Sequence, residues 1–133
     1  MHKHIALEWV ARLRSGDYAQ GKHNLCQVKE GRPDRFCCLG VLCEMYMDYN
    51  ETDESFTHDN SIAEHNCTLT SHVRTYDKQV EFLPDSVMKW AGMNNNSGQF
   101  TVDESVYNLS AMNDDGADFH QIADAIDLHW EII

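Results

Sequence analysis

Between Phe36 and Met47 the chain reads Phe-Cys-Cys-Leu-Gly-Val-Leu-Cys-Glu-Met-Tyr-Met, with Glu44 as its single charge. A run this apolar is driven out of water on nearly every side, so the other elements must be arranged around it. Its first half could be a buried strand. Its length and its Leu and Met content favour a buried helix from about Leu39 to Asp48, at the centre of the core. It is too short for a membrane, since no apolar run approaches the roughly 18 residues of a span. Nor does an apolar signal core follow Met1-His2-Lys3-His4, so a cytoplasmic protein is expected.

The flanking segments supply the elements that cover this centre. Ile5, Ala6, Trp9, Val10 and Leu13 recur at the spacing of one helix face, and Ser15-Gly16 ends that helix. Asp17 to His23 reads as a polar loop. Leu25–Val28 and Arg35–Cys37 flank Gly31-Arg32-Pro33-Asp34, the pattern of a small hairpin. Asp48 to Ser71 is dense in Asp, Glu, Asn, Thr and His and reads as a long acidic loop, with Phe56, Ile62 and Leu69 as tethers. A short strand is expected over Gln79–Phe82. Leu83-Pro84-Asp85 then opens a helix carrying Val87, Trp90 and Ala91 and closed by Gly92. Gln99–Val102 is a further strand candidate. Asp103 is placed to cap a helix bearing Val106, Leu109 and Met112. Asp118, with Gln121 three residues on, makes a capping box for a last helix that buries Phe119, Ile122, Ala123, Ile126 and Trp130. At 133 residues the expectation is one domain, α+β and helix-dominated. It would hold four or five short helices and a small antiparallel sheet or hairpin.

Charge narrows the partners. The formal net charge is −12, and it is unevenly spread: residues 1–35 carry +3, 36–88 carry −8 and 89–133 carry −7. Phosphate backbones repel such a chain, so direct nucleic-acid binding is not expected. A solvated acidic surface is the plain reading. The sharper one is docking on a basic partner, with Asp53, Glu54 and Asp59 in the acidic loop as the contact residues.

Several constellations bear on chemistry. Cys38, at the start of the central helix, could be a nucleophile with His23 or His120 as base and Asp114 or Asp124 as orienting group. Equally, it could be a packed core thiol beside Leu39 and Leu42. His58, Asp59, His65, Cys67 and His72 are all zinc-ligand types, but their spacing fits no paired zinc pattern. Asn113-Asp114-Asp115-Gly116 is explained by a helix stop followed by the next cap. In an alternative reading, Asn113 and Asp114 join Tyr18, Gln20, Arg35 and Trp90 around a small polar ligand such as a nucleotide. No catalytic set, metal or cofactor is assigned. Trp130-Glu131-Ile132-Ile133 would suit a second copy of the chain if it were not packed on its own core.

The stretch Cys37-Cys38-Leu39-Gly40-Val41-Leu42-Cys43 resembles an uncharacterised family of small phage and prophage proteins. Gln20-Gly21, Leu83-Pro84 with Trp90 and Gly92, and Asn113-Asp114-x-Gly116 with Phe119 and Ile122-Ala123-Asp124 follow in that family's order. Met112 stands where the pattern has Leu, and Asn50–Ser71 matches nothing in it. The resemblance implies an accessory phage protein acting in the cytoplasm of an infected bacterium, and it brings no reaction or catalytic residue. Taken with the charge, it leads to the expectation of a non-enzymatic binding protein. Such a protein would inhibit a host factor, an antiviral defence component being the favoured class. A small-ligand protein or small enzyme is the rival.

Overall fold

The computed structural model describes residues 1–66 and 69–133, with the side chains of 62–71 left aside. The chain is a small α+β domain. In order it forms α1 (Lys3–Arg14), β1 (Ala19–Gln20), β2 (Cys26–Lys29), β3 (Arg35–Phe36), α2 (Cys38–Tyr49), β4 (His58–Asn66), β5 (Leu69–Tyr76) and α3 (Asp85–Ala91). Then come β6 (Gln99–Val102), β7 (Ser105–Asn108), α4 (Leu109–Asp114), α5 (Phe119–His129) and a 3-10 turn, Trp130–Ile132. Among the described residues, no helix is long and apolar enough to cross a membrane.

The apolar run is the central helix. In α2, Cys38 through Cys43, Met45 and Tyr46 are all buried. The helix packs on α1, α3, α4 and β3. Gly40 is what lets it come close to the sheet. A Cβ there would lie 1.8 Å from the Leu25 carbonyl oxygen, and backbone cannot move aside as the end of a side chain can. On the opposite flank the Trp9 indole, fully buried, donates to the Cys38 carbonyl at 3.0 Å.

Five strands form one sheet in the order β1-β3-β2-β5-β4, and β6 and β7 form a separate hairpin. The sheet is mixed, because β1 runs parallel to β3 while every other pair is antiparallel. Arg74 of β5 ties the sheet to α2. Its guanidinium donates to Asp34 and Glu44 at 2.7 Å each and to Asn60 at 3.3 Å, and the buried Tyr76 hydroxyl reaches the same Glu44 oxygen at 2.9 Å. Burial, and after it the Glu44 charge, pushes the Tyr76 phenol far above its ordinary value, so it keeps its proton and donates it to Glu44.

Four expectations are corrected. Asp17 to His23 is not wholly a loop, since Ala19–Gln20 forms β1 and pairs in parallel with β3. The acidic stretch does not remain a loop to Ser71. Beyond Thr57 it enters β4, and β5 lies between β2 and β4. Acidic density obscured the β-branched and aromatic content of Leu69–Tyr76, which is what favours a strand. Gln79–Phe82 is not a strand. Asp77 and Lys78 take positive φ (48° and 69°), and the chain turns back so that Tyr76 and Gln79 bond each other at 2.9 Å both ways. Asp103 caps no helix. Asp103 and Glu104 form the left-handed turn of the β6–β7 hairpin (φ 47° and 68°), which puts Val106 on a strand. The α4 cap is Asn108, whose side chain accepts from the Ala111 N–H.

The last helix has its capping box, Asp118 and Gln121 exchanging bonds of 2.8 and 2.9 Å. It packs antiparallel to α1, with Arg14 on Asp124 at one end and the Met1 ammonium on the Trp130 carbonyl at the other. Of the terminal residues Ile133 closes the core, while Ile132 stays 44% exposed. Ile133 is fully buried, and Asn94 holds the Ile133 and Ile132 carbonyls.

In a helix interior, Gly→Ala normally stabilises by about 0.5–1 kcal/mol. For Gly40→Ala we expect the reverse, a loss of about 1–3 kcal/mol or more from overpacking against Leu25. Urea melts of the two proteins measure it, and a gain in stability would contradict the close approach.

Candidate functional site

The acidic-loop residues do not act together. Asp53 is turned to structural use: its carboxylate accepts from the Ser55 N–H (3.1 Å) and hydroxyl (2.5 Å) and from the Tyr46 hydroxyl (2.6 Å), fastening the turn after α2. These bonds, Ser55 first, hold its pKa below the usual carboxylate value. Phe56 adds a ring contact with Tyr46 at 4.7 Å, the tether expected of it. Glu54 remains exposed on the turn, while Asp59 is exposed on β4 opposite Thr75.

The small-ligand set divides as well. Gln20, Asn113 and Asp114 meet, but around each other. Asn113, the one buried polar residue among those described, has no exposed surface. Its Oδ1 accepts from Gln20 Nε2 (3.0 Å) and from the Cys38 N–H (3.2 Å), and its Nδ2 donates to the Gly21 carbonyl (2.8 Å). Gln20 completes the knot by donating to the Ala117 carbonyl (2.8 Å) and accepting from the Phe119 N–H (3.0 Å). Asp114 accepts from the His23 N–H at 2.7 Å. With these polar atoms already paired, the knot offers a ligand nothing to bind. Tyr18 packs edge-on to Phe36 and accepts from Arg12, and Arg35 is exposed. Trp90 lies elsewhere, edge-on to Tyr46 and near Tyr49.

The thiol is a core group. Cys38 is fully buried with its sulfur 3.6 Å from the Leu109 carbonyl oxygen, and burial raises its pKa well above the ordinary value. That opposes thiolate formation. His23 does meet Asp114, Nδ1 to Oδ2 at 3.4 Å, but His120 is exposed and Asp124 is bound to Arg14. Of the zinc-type residues, Cys67 lies outside the described residues and the side chain of His65 is among those left aside. His58 pairs with Tyr76 and His72 with Ile62, four residues along the same ladder, or about 13 Å of strand. Among the described residues, no group of three or more His, Cys, Asp or Glu is placed to hold a metal ion.

A different surface is a candidate for binding. Strand β7, α4 and the start of α5 border a shallow, open groove of about 650 Å³, lined by Val106, Tyr107, Asn108, Ala111, Met112, Asp115, Gly116, Ala117 and Gln121. Val106 is 63% exposed and Tyr107 44%. Tyr107 is held in place by stacking on Phe100 at 5.4 Å. The whole segment 90–133 has no Lys or Arg. Asp115 lines the groove, and Asp103 and Glu104 form the hairpin turn beyond it. Sequence reasoning did not find this groove, because it placed Val106 on a helix where the chain forms β7. The available signal was Asp103-Glu104 between two short runs containing β-branched and aromatic residues.

The family model for Domain of unknown function (DUF8296) matches residues 1–129. No curated protein and no solved structure matches the chain.

Removing the Asn113 carboxamide strands the Cys38 N–H and the Gly21 carbonyl, each at about 1–3 kcal/mol when buried. Asn113→Ala should therefore cost about 2–5 kcal/mol in urea melts. Asn113→Asp should be no better, since it loses the donor to Gly21 and brings a second carboxylate beside Asp114. A loss under about 0.5 kcal/mol, the size of a surface change, would show the knot to be dispensable. For Asp53, whose pKa is lowered in the folded chain, the stabilisation is present above the ordinary carboxylate range. It is lost as pH falls through the depressed value. The stability difference between wild type and Asp53→Asn should accordingly shrink on acidification from pH 7, as followed by melts across pH.

Proposed function

The chain belongs to the DUF8296 family, and on that premise we propose that it is a phage-encoded, non-enzymatic binding protein. In this reading it docks on a basic surface of a host protein and inhibits it, with antiviral defence components as the favoured class of target. The observation that carries the reading is the groove beside β7, where exposed Val106 and Tyr107 sit in a segment with no Lys or Arg. Interface energy concentrates in apolar and aromatic anchors at the centre of a patch, while surrounding charges set orientation and association rate. Val106 and Tyr107 supply the anchors, and Asp115, Asp103 and Glu104 supply the field. The occupant that suits this surface is a segment with apolar side chains flanked by Lys or Arg. The docking face thus moves from Asp53, Glu54 and Asp59 to the hairpin groove, because Asp53 is committed to Tyr46 and Ser55.

The test is retention of a host protein from bacterial lysate, followed by association kinetics with that protein after purification. Retention should weaken between 0.15 M and 1 M salt as the screening length falls from about 8 to about 3 Å. Val106→Ser with Tyr107→Ser should still fold, its thermal melt lowered by the loss of the Tyr107–Phe100 stack, and should speed dissociation at least about tenfold, as loss of an interface anchor does. Asp115→Asn should chiefly slow association. Retention of nothing at any salt, or equal binding by the Val106→Ser/Tyr107→Ser variant, would remove the basis of the reading.

A further inference from the structure

Away from the groove, three helices converge on a second concavity. His4, Ile5 and Glu8 of α1, Tyr49 at the end of α2 and Trp90 of α3 line a cleft of about 190 Å³. It shares no lining residue with the groove. Each aromatic wall is held by a specific contact. Trp90 stands edge-on to Tyr46, centroids 5.5 Å apart at 85°, so its plane is set by packing. Tyr49 is 60% exposed, yet its hydroxyl donates to Glu8 at 2.5 Å. That bond holds the ring with its centroid 6.1 Å from that of Trp90 and its plane tilted by 35°. The Tyr49 and Trp90 π systems, the His4 imidazole and one carboxylate therefore border one small space.

The chemistry of such a space is selective. Ring faces carry negative potential and attract cations, tryptophan most strongly. Glu8 adds a formal negative charge. The nearest counter-charge, Arg12, is 3.7 Å from Glu8 but closer to Asp48, at 2.7 Å, so Glu8, Asp48 and Arg12 together leave one net negative charge. The volume is below the roughly 300 Å³ at which pockets for drug-sized ligands begin. It suits one headgroup, not a nucleotide.

We propose that the cleft between Tyr49, Trp90 and Glu8 is a receptor for a single organic cation, an alkylammonium or guanidinium head. The site stands on its own residues and does not depend on the docking reading above. Tetramethylammonium is the probe, with sodium chloride at equal ionic strength and tert-butanol, a neutral molecule of similar shape, as controls. Indole N–H signals in a ¹H–¹⁵N spectrum are followed for the folded full chain.

Tetramethylammonium should move the Trp90 signal saturably, and neither control should match it. Tyr49→Leu removes one ring from an exposed position and should weaken binding by about 2- to 30-fold, the span of cation–π contributions. Glu8→Gln keeps an acceptor for the Tyr49 hydroxyl while deleting the charge, and it too should weaken the response. Thermal melts verify that both variants fold. Choline and capped lysine and arginine peptides then identify the source: tighter binding of choline assigns a free small cation, and tighter binding of a peptide assigns a protein side chain. A Trp90 response equal with sodium chloride, or undiminished in Tyr49→Leu, would overturn the proposal.

Discussion

The fold turns on one buried carboxamide. Helix α2 is almost wholly apolar, and its N-cap, Cys37, offers no side-chain bond to the unpaired amides of the first turn. Those amides must find partners, because an unsatisfied buried N–H costs far more than a made bond returns. Asn113 gives one of them its acceptor from 75 residues away. The same side chain holds the Gly21 carbonyl and, through Gln20, the entry to α5. One residue thereby fixes the relative positions of the β1 loop, the central helix and the two last helices. This is also why the pair that looked most like a ligand site is unavailable for one: its polarity is consumed by the chain's own backbone.

Around that point the structure holds α2 by two further devices of different kinds. Gly40 works by omission, admitting the Leu25 backbone where any side chain would stand. Arg74 works by charge, joining β5 to Asp34 and Glu44 in a partly buried cluster. Arginine suits this task because its rigid fork can serve several acceptors at once and keeps its proton. The apolar helix is therefore seated by shape on one part of the sheet and by ion pairing on another.

Much of this was legible in the sequence wherever local patterning and burial agree. The periodicity of Ile5, Trp9 and Leu13, the dense run of α2 and the Asp118–Gln121 box each gave the right element, because each satisfies its own requirement locally. The errors fall where a distant partner decides. Leu69–Tyr76 becomes a strand between β2 and β4, a pairing invisible from the acidic residues before it. Asp103 has the chemistry of a helix cap and of a hairpin turn alike, and the pairing of β6 with β7 selects the turn. Gln20 and Asn113 were singled out as ligand contacts, but spacing could not say that they face one another instead of solvent. Of the cation cleft, only Trp90 was singled out in the sequence. Glu8 and Tyr49 stand 41 residues apart and meet only once α1 and α2 have packed.

The long reach of Asn113 also bears on the order in which the chain can be completed during synthesis. Translation at about 5–20 residues per second leaves roughly 4–15 s between the emergence of two positions 75 residues apart. For most of that interval the whole Cys38–Tyr49 segment is already made while its acceptor is not. A nascent helix in this state carries an apolar surface with an open amide end, which is the kind of surface that holdase chaperones cover. Production of this protein should therefore depend on how well the cell shelters a half-made chain, and slowing translation before residue 113 would lengthen the vulnerable period.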